Sequence, residues 1–283
     1  MKDLAKGRYK IMRKKVISLS FDDGREDLYR NAFPIMQKYG LVSTAHVTTG
    51  FIDGTFKPLT WRSCTGAATV EQLLKMKSCG HEISSHGDRH ITDIDDFDIS
   101  VRKLVAMNLA ESDVGFAVPH SNTRGAGFGD FVNHLKSHER IYVRGGERKS
   151  TLSFFDRAFI KLATILDKRL GSNWCFRMLN WDKAMDLDKE VPRYLLPSVL
   201  VHSYDEPRKL IGFIESLPDN VWLIIMLHSI LNLDEPHYGA DLWCWSTDKF
   251  EKFCEYLFRR QSEGCLSVKT IAQQLECIND VRV

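Results

Sequence analysis

Short apolar runs alternate along this chain with longer stretches whose apolar residues recur at helical spacing. Residues 16–21 (Val-Ile-Ser-Leu-Ser-Phe) predict a strand, and 26–39 a helix presenting Ala32, Phe33, Ile35, Met36 and Tyr39 to a core. Pro34 within it marks either a helix start or a kink, and Gly40 a C-terminal stop. A strand follows at 41–48. Thr69 then caps a helix that ends near Gly80, and a strand follows at 81–85. A helix at 98–109 and strands at 115–119 and 140–144 continue the rhythm. It breaks over about 145–188, a basic stretch with Phe154, Phe155, Phe159, Trp174, Phe176 and Trp181 that takes no clear assignment. It resumes with a strand at 194–202, a helix at 208–216, a strand at 221–228 and a closing helix at 247–261.

Strands alternating with helices predict an α/β fold with a parallel sheet, and the length favours a barrel over an open sheet. No internal repeat, low-complexity tract or linker interrupts the 283 residues, so a single domain over 1–283 is expected. A net charge of +2 excludes any strong electrostatic argument for nucleic acid. The longest apolar stretch, 221–227, is far below membrane-span length. Seven cysteines, an odd number with no C-x-x-C pair, fit a reducing compartment. The basic N-terminus leads straight into the first strand and not into an apolar signal core, so a soluble cytoplasmic protein is expected.

The chemistry collects where strands end. The first delivers Asp22-Asp23-Gly24, the 81–85 strand delivers His86-Gly87-Asp88-Arg89-His90, and the 221–227 run delivers His228. In an α/β barrel the loops at the C-terminal edge of the strands converge on one mouth. A catalytic zinc takes three protein ligands and keeps a position for water. His86 and His90 stand four apart, so one helical turn after the strand places both rings on one face. A carboxylate completes the set. Adjacent residues on a strand point to opposite sides, so Asp22 and Asp23 divide the work: one ligates, and the other, re-aimed by the turn at Gly24, accepts a proton from water. Metal binding lowers that water's pKa to about 7, which puts its proton within reach of a carboxylate base. His228, from a distant strand, suits the role of proton donor to a leaving nitrogen.

These residues resemble the polysaccharide deacetylases of carbohydrate esterase family 4, the NodB-homology domain. Ser20-Phe21-Asp22-Asp23-Gly24 is similar to the family's first motif, Ser85-His86-Gly87-Asp88-Arg89-His90 to its second, and Leu227-His228 to its last. The resemblance runs from about residue 16 to 272, taken as the core of the domain. It implies a distorted TIM-like (β/α) barrel with fewer than eight regular units. It implies Asp22 as base, Asp23, His86 and His90 as metal ligands and His228 as acid. It also implies one divalent metal, zinc by default, with cobalt or nickel fitting the same donors. The implied reaction is removal of an N-acetyl group from an amino sugar, with a carbohydrate as the substrate partner.

The family's third motif opens with an arginine that orients the base. The matching segment here is Ala117-Val118-Pro119-His120-Ser121, and Ala117 cannot pair with Asp22. A backbone N–H at His120 still serves an oxyanion, and its ring is a candidate substrate contact. Asp182 beside Trp181, Asp205 and Arg193 are weak candidates to charge His228. Leu227, Tyr238 and Trp243 are candidate substrate contacts; Trp243 and Trp245 otherwise anchor the last helix. His46, His81, His134, His138 and His202 show no partner pattern and read as structural or exposed. Two other functions fit the same residues: deacylation of an O-acetyl ester or a non-sugar amide, and glycan binding by a relative that has lost turnover. The substrate sugar and the oligomeric state are not legible in the sequence.

Overall fold

A computed structural model describes residues 14–123, 125–138, 141–145 and 174–281, together with 162, 165 and 169. Eleven strands run in chain order among these residues. The first five are β1 (Lys15–Phe21), β2 (Ser43–Val47), β3 (Glu82–Ser85), β4 (Phe116–Ala117) and β5 (Val143–Arg144). The rest are β6 (Met185–Asp186), β7 (Val199–Leu200), β8 (Val221–Leu227), β9 (Ser229–Leu231), β10 (Cys244–Ser246) and β11 (Leu266–Val268). The main sheet orders them β5-β4-β3-β2-β1-β8-β6, with β7 also on β8 and β11 on β1. Every pairing is parallel except β6 with β8. A parallel bridge from Arg144 to Leu196, just before β7, spans the interval between β5 and β7. The strands therefore follow one another around a distorted barrel that never reaches eight regular units.

Parity along the strands explains both the core and the site. Successive side chains on a strand point to opposite faces. On β1, Ile17, Leu19 and Phe21 join the main apolar core with Leu73, Phe97, Phe213 and Phe250. The other parity, Val16, Ser18 and Ser20, lines the inner face and leads to Asp22. On β8, Val221, Leu223, Ile225 and Leu227 lie in the main core, while Trp222 and Ile224 belong to a second cluster with Val16, Tyr142, Leu196, Ile271 and Leu275. That inner line continues through Met226 to His228. Glu82 and Ser84 lead likewise to His86, and Tyr142 leads to Arg144. One parity rule thus aims four chemical groups into the same mouth.

Several predicted elements are shifted. The 26–39 helix is a π-helical turn, Leu28–Ala32, followed by an α-helix, Phe33–Lys38, because Pro34 cannot donate in a helix interior and sits in the first turn instead. Thr69 forms a capping box with Gln72 on the helix Val70–Ser78. The 98–109 helix starts earlier, at Ile94, because Asp93 caps it by accepting the N–H of Asp96. The helices Phe128–Ser137 and Ile271–Val281 and the strands β9, β10 and β11 are additional. Within the unassigned stretch the helix Trp174–Asn180 and β6 are formed, while most of 146–173, and Arg140, lie outside the described residues.

Candidate metal centre

The turn after β1 begins at Asp23, whose φ is +80°, one residue earlier than the glycine at +79°. This left-handed step swings Asp23 out of strand alternation and back beside Asp22. His90, at +59°, and His120 and Ser121, at +55° and +53°, share that uncommon conformation. Such backbone persists where surrounding contacts over-determine it. In the 86–90 loop the contacts are visible. His86 and His90 are not on a helical turn, as their spacing suggests; Gly87, at φ +83°, opens an irregular loop instead. Asp96, fully buried, anchors that loop by accepting the N–H of Asp88 at 2.8 Å and of Arg89 at 3.0 Å.

Asp23, His86 and His90 come together as buried neighbours whose ligand atoms all lie within 4.8 Å. Asp23 Oδ1 is 3.5 Å from His86 Nε2 and 3.6 Å from His90 Nε2, and the two ring nitrogens are 3.1 Å apart. Donors bonded tetrahedrally to zinc at about 2.0–2.1 Å stand roughly 3.3 Å from one another. The triangle therefore fits such an ion. His86 donates from Nδ1 to the Ala117 carbonyl at 2.8 Å, which turns Nε2 toward the cluster. Burial, with His86 second, pulls His90 down to about 3, so its ring is neutral and able to ligate.

Two buried arginines that the sequence reading did not single out flank the aspartates. Arg25, 1% exposed, donates from Nε to Asp23 Oδ2 at 2.8 Å, with Nη2 2.7 Å from the same oxygen. Its Nη1 reaches Ser63 and Ser229, and its guanidinium lies over the Trp61 ring. Oδ2 is thereby occupied and Oδ1 faces the histidines. Burial alone would raise the Asp23 pKa, but Arg25 first, with His86 and His228 nearby, holds it well below the usual carboxylate range.

Arg144 does for Asp22 what Ala117 cannot. Its Nη2 lies 2.5 and 2.6 Å from the two Asp22 oxygens, and both residues are buried. Ala117 and Arg144 are register partners on β4 and β5, so a guanidinium reaches the aspartate from the strand next to the one that carries Ala117. The signal in sequence was a strand that ends in arginine at the C-terminal edge. Beneath Asp22 lies His46, whose Nδ1 is 3.1 Å from Ser20 Oγ and whose Nε2 is 2.8 Å from the Tyr142 hydroxyl. Tyr142 donates onward to Glu82, so His46 donates from Nε2; burial holds its pKa well below the ordinary histidine value.

His228 closes the mouth opposite. Burial pulls it down to about 4, against the pull of Asp23 and Asp22. None of the proposed charging residues reaches it by a hydrogen bond: its Nδ1 is buried without a partner among the described residues. Asp205 instead accepts the N–H of His202, Arg193 donates to the Ile141 carbonyl, and Trp181 and Asp182 are exposed. Trp243 packs 5.4 Å from the His228 ring, and His120, exposed, packs 4.5 Å from His90. Leu227 is a core side chain whose carbonyl accepts the N–H of Asp22. Tyr238 lies half-buried in the turns before β10, and no ring contact or hydrogen bond of its side chain to the cluster is formed among the described residues. Trp245 is buried, donates to the Asp205 carbonyl and packs on Phe253, so it anchors the last long helix.

Residues 9–107 match the family model described as polysaccharide deacetylase, a span that holds Asp22, Asp23, His86 and His90 and stops short of His120 and His228. The resemblance read from the motifs is thus shown over that span. No curated protein matches the chain. Among solved structures, the Xyl-CE4 domain of a multidomain xylanase from the hindgut metagenome of Trinervitermes trinervoides is similar, with 11% identity and a TM-score of 0.50 over 93% of this chain and 90% of that one. A mutant of a CE4 family pseudoenzyme with restored enzymatic activity also scores 0.50, at 11% identity over 93% of this chain and 68% of that one. The peptidoglycan deacetylase PdaC from Bacillus subtilis gives 0.49 at 13% identity over 95% and 93%. At these identities the first two likenesses show the fold. No helix among the described residues is long and apolar enough to cross a membrane.

Proposed function

We propose that the protein is a metal-dependent deacetylase that removes an N-acetyl group from an amino sugar within a glycan or its precursor. The observation that carries the proposal is the joint placement of two differently equipped aspartates. Asp23 points one oxygen at a buried histidine pair, while Asp22, held by Arg144, faces the same mouth. A divalent metal held by Asp23, His86 and His90 would polarise a carbonyl and acidify water there.

The residues supply the rest. Asp22 takes the proton of the attacking water, and Arg144 keeps it oriented while it does so. The departing nitrogen needs a proton because an amine anion is a poor leaving group. His228, whose pKa burial lowers to about 4, relays one that it takes up during the reaction. The proton that Asp22 removes from water closes the balance. The His120 N–H serves as the oxyanion donor. Trp243, His120 and Tyr238 are the proposed substrate contacts, and Leu227 contributes through its backbone. Zinc is the expected ion, with cobalt and nickel compatible with the same donors. A single domain acting on a cytoplasmic carbohydrate remains part of the proposal.

Acetate release from N-acetylglucosamine oligomers, before and after chelation and zinc restoration, tests this. Release that needs zinc and disappears in Asp22→Asn supports it. Metal binding at about one ion per chain, without release from any N-acetylated sugar but with release from an O-acetyl ester, would replace the amide by an ester. Neither metal binding nor turnover would favour a glycan-binding protein.

A further inference from the structure

Of the thirteen exposed large apolar side chains among the described residues, five fall between residues 162 and 181: Leu162 (57% exposed), Ile165, Trp174 (61% exposed), Met178 and Trp181. Their spacing is helical. Trp174, Met178 and Trp181 are four and then three residues apart along the helix Trp174–Asn180 and the 3₁₀ turn Trp181–Lys183, which sets them on one face. Leu162 and Ile165, both helical, are three apart, and exposed Arg169 lies four beyond. The inner side of the Trp174–Asn180 helix shows why the row points outward. Cys175 and Asn180 are buried, Asn180 donates to the Phe176 carbonyl at 2.8 Å, and Phe176 packs edge-on against Phe213 of the helix Pro207–Ser216 at 5.8 Å. The row is what that anchoring leaves in water. Concentrated apolar exposure of this kind marks contact with a protein or a membrane.

Charge selects between the partners. Counted along the sequence, residues 146–183 hold eight Lys or Arg against four Asp or Glu, an excess of four positive charges. The whole chain has a net charge of +2, so the rest of it carries a net −2. A second copy of this chain would bring the same positive segment against itself, which opposes a symmetric dimer through this face. A bilayer with anionic headgroups matches both features. Indole rings settle at headgroup level, Leu, Ile and Met reach the acyl boundary, and Lys and Arg meet the phosphates.

We propose that Leu162, Ile165, Trp174, Met178 and Trp181, with Arg169, form a surface that docks the protein on the face of an anionic lipid bilayer. The surface is independent of the reaction proposed above, and none of these residues belongs to the metal centre.

The test is co-sedimentation of the full chain with sucrose-loaded vesicles, of phosphatidylcholine alone or mixed equally with phosphatidylglycerol. Binding is expected to the mixed vesicles and weakens as sodium chloride is raised. Trp174→Ser combined with Trp181→Ser lowers it at least about tenfold, while Trp174→Phe combined with Trp181→Phe keeps most of it. Arg169→Gln lowers it about fivefold. Unchanged urea unfolding of the variants separates these losses from a loss of fold. No sedimentation with the mixed vesicles, equal binding to both kinds of vesicle, or equal binding by the wild type and the Trp→Ser double variant overturns the proposal. Self-association in sedimentation velocity that the double variant abolishes, without vesicle binding, also overturns it and assigns the face to a second copy.

Discussion

Replacing Arg144 by methionine removes the charge that faces Asp22 while keeping an apolar stem in the β5 strand end. The aspartate has no other cation at hydrogen-bond distance among the described residues and is 3% exposed. With charge centres about 4 Å apart and an effective dielectric of about 20, the attraction forgone is about 4 kcal/mol. Breaking a buried pair by deleting one partner costs about 3–5 kcal/mol, because the remaining charge stays out of water. Arg144→Met should therefore lower the unfolding free energy from urea titration by about 3–5 kcal/mol. Acetate release should fall by about 10²–10⁴, the range of a general base. Arg144→Lys, which restores the charge on a single ammonium, should recover part of both. The exchange Ala117→Arg with Arg144→Ala is the sharper test, since the two positions are register partners and the guanidinium re-enters from the adjacent strand. It should regain activity that Arg144→Ala alone lacks. A loss below about 1 kcal/mol with activity intact in Arg144→Met would refute the assignment.

Arg25 and His81 give two further expectations. Arg25→Met frees Asp23 Oδ2, and loss of such a supporting partner should weaken zinc binding about 10–100-fold in a chelator competition, whatever the activity; an unchanged zinc affinity would show that Arg25 only holds loops together. His81 accepts the Ser43 N–H at Nδ1 at 3.1 Å, and burial lowers its pKa to about 4. The unfolded chain takes up this proton first as the pH falls, so stability present above about 6.5 is lost between 6.5 and 4, by at most about 3 kcal/mol. In His81→Gln, whose amide oxygen keeps an acceptor, this part of the pH dependence should disappear from unfolding curves. A wild-type slope in the variant would contradict it.

Much of this architecture was readable because it rests on short-range chemistry. The near-alternation of apolar and serine positions in 16–21 and the unbroken apolar run 221–227 announce two strands, and strand parity then reaches Asp22, His86 and His228. Thr69 with Gln72 announces its helix through the capping box. What escaped depends on distance in the fold. Arg144 ends a strand of only two residues, and nothing local says that its neighbour across β4 lacks the arginine a base needs. Nothing near Arg25 in sequence announces its partners Ser63 and Ser229, which arrive from far along the chain. The four-residue spacing of His86 and His90 suits a helical turn and not the loop that joins them. Gly87 and the carboxylate of Asp96 bend it otherwise. Strands β9, β10 and β11 are three residues each, too short to show a period.

Strand β1 is hydrogen-bonded to β2 on one side and to β8 on the other. On a ribosome this makes assembly of the mouth a delayed event. Asp22, Asp23, His86 and His90 emerge early, but about 130 residues separate His90 from the start of β8, which at 5–20 residues per second is roughly 7–25 s of synthesis. Throughout that interval the second edge of β1 has no partner from its own chain, and the helix that covers Phe21 through Phe250 has not been made. A nascent chain in this condition is a client for holding chaperones. A ribosome-stalled series should show protease resistance of the β1 region appearing only once residues 221–227 have cleared the exit tunnel.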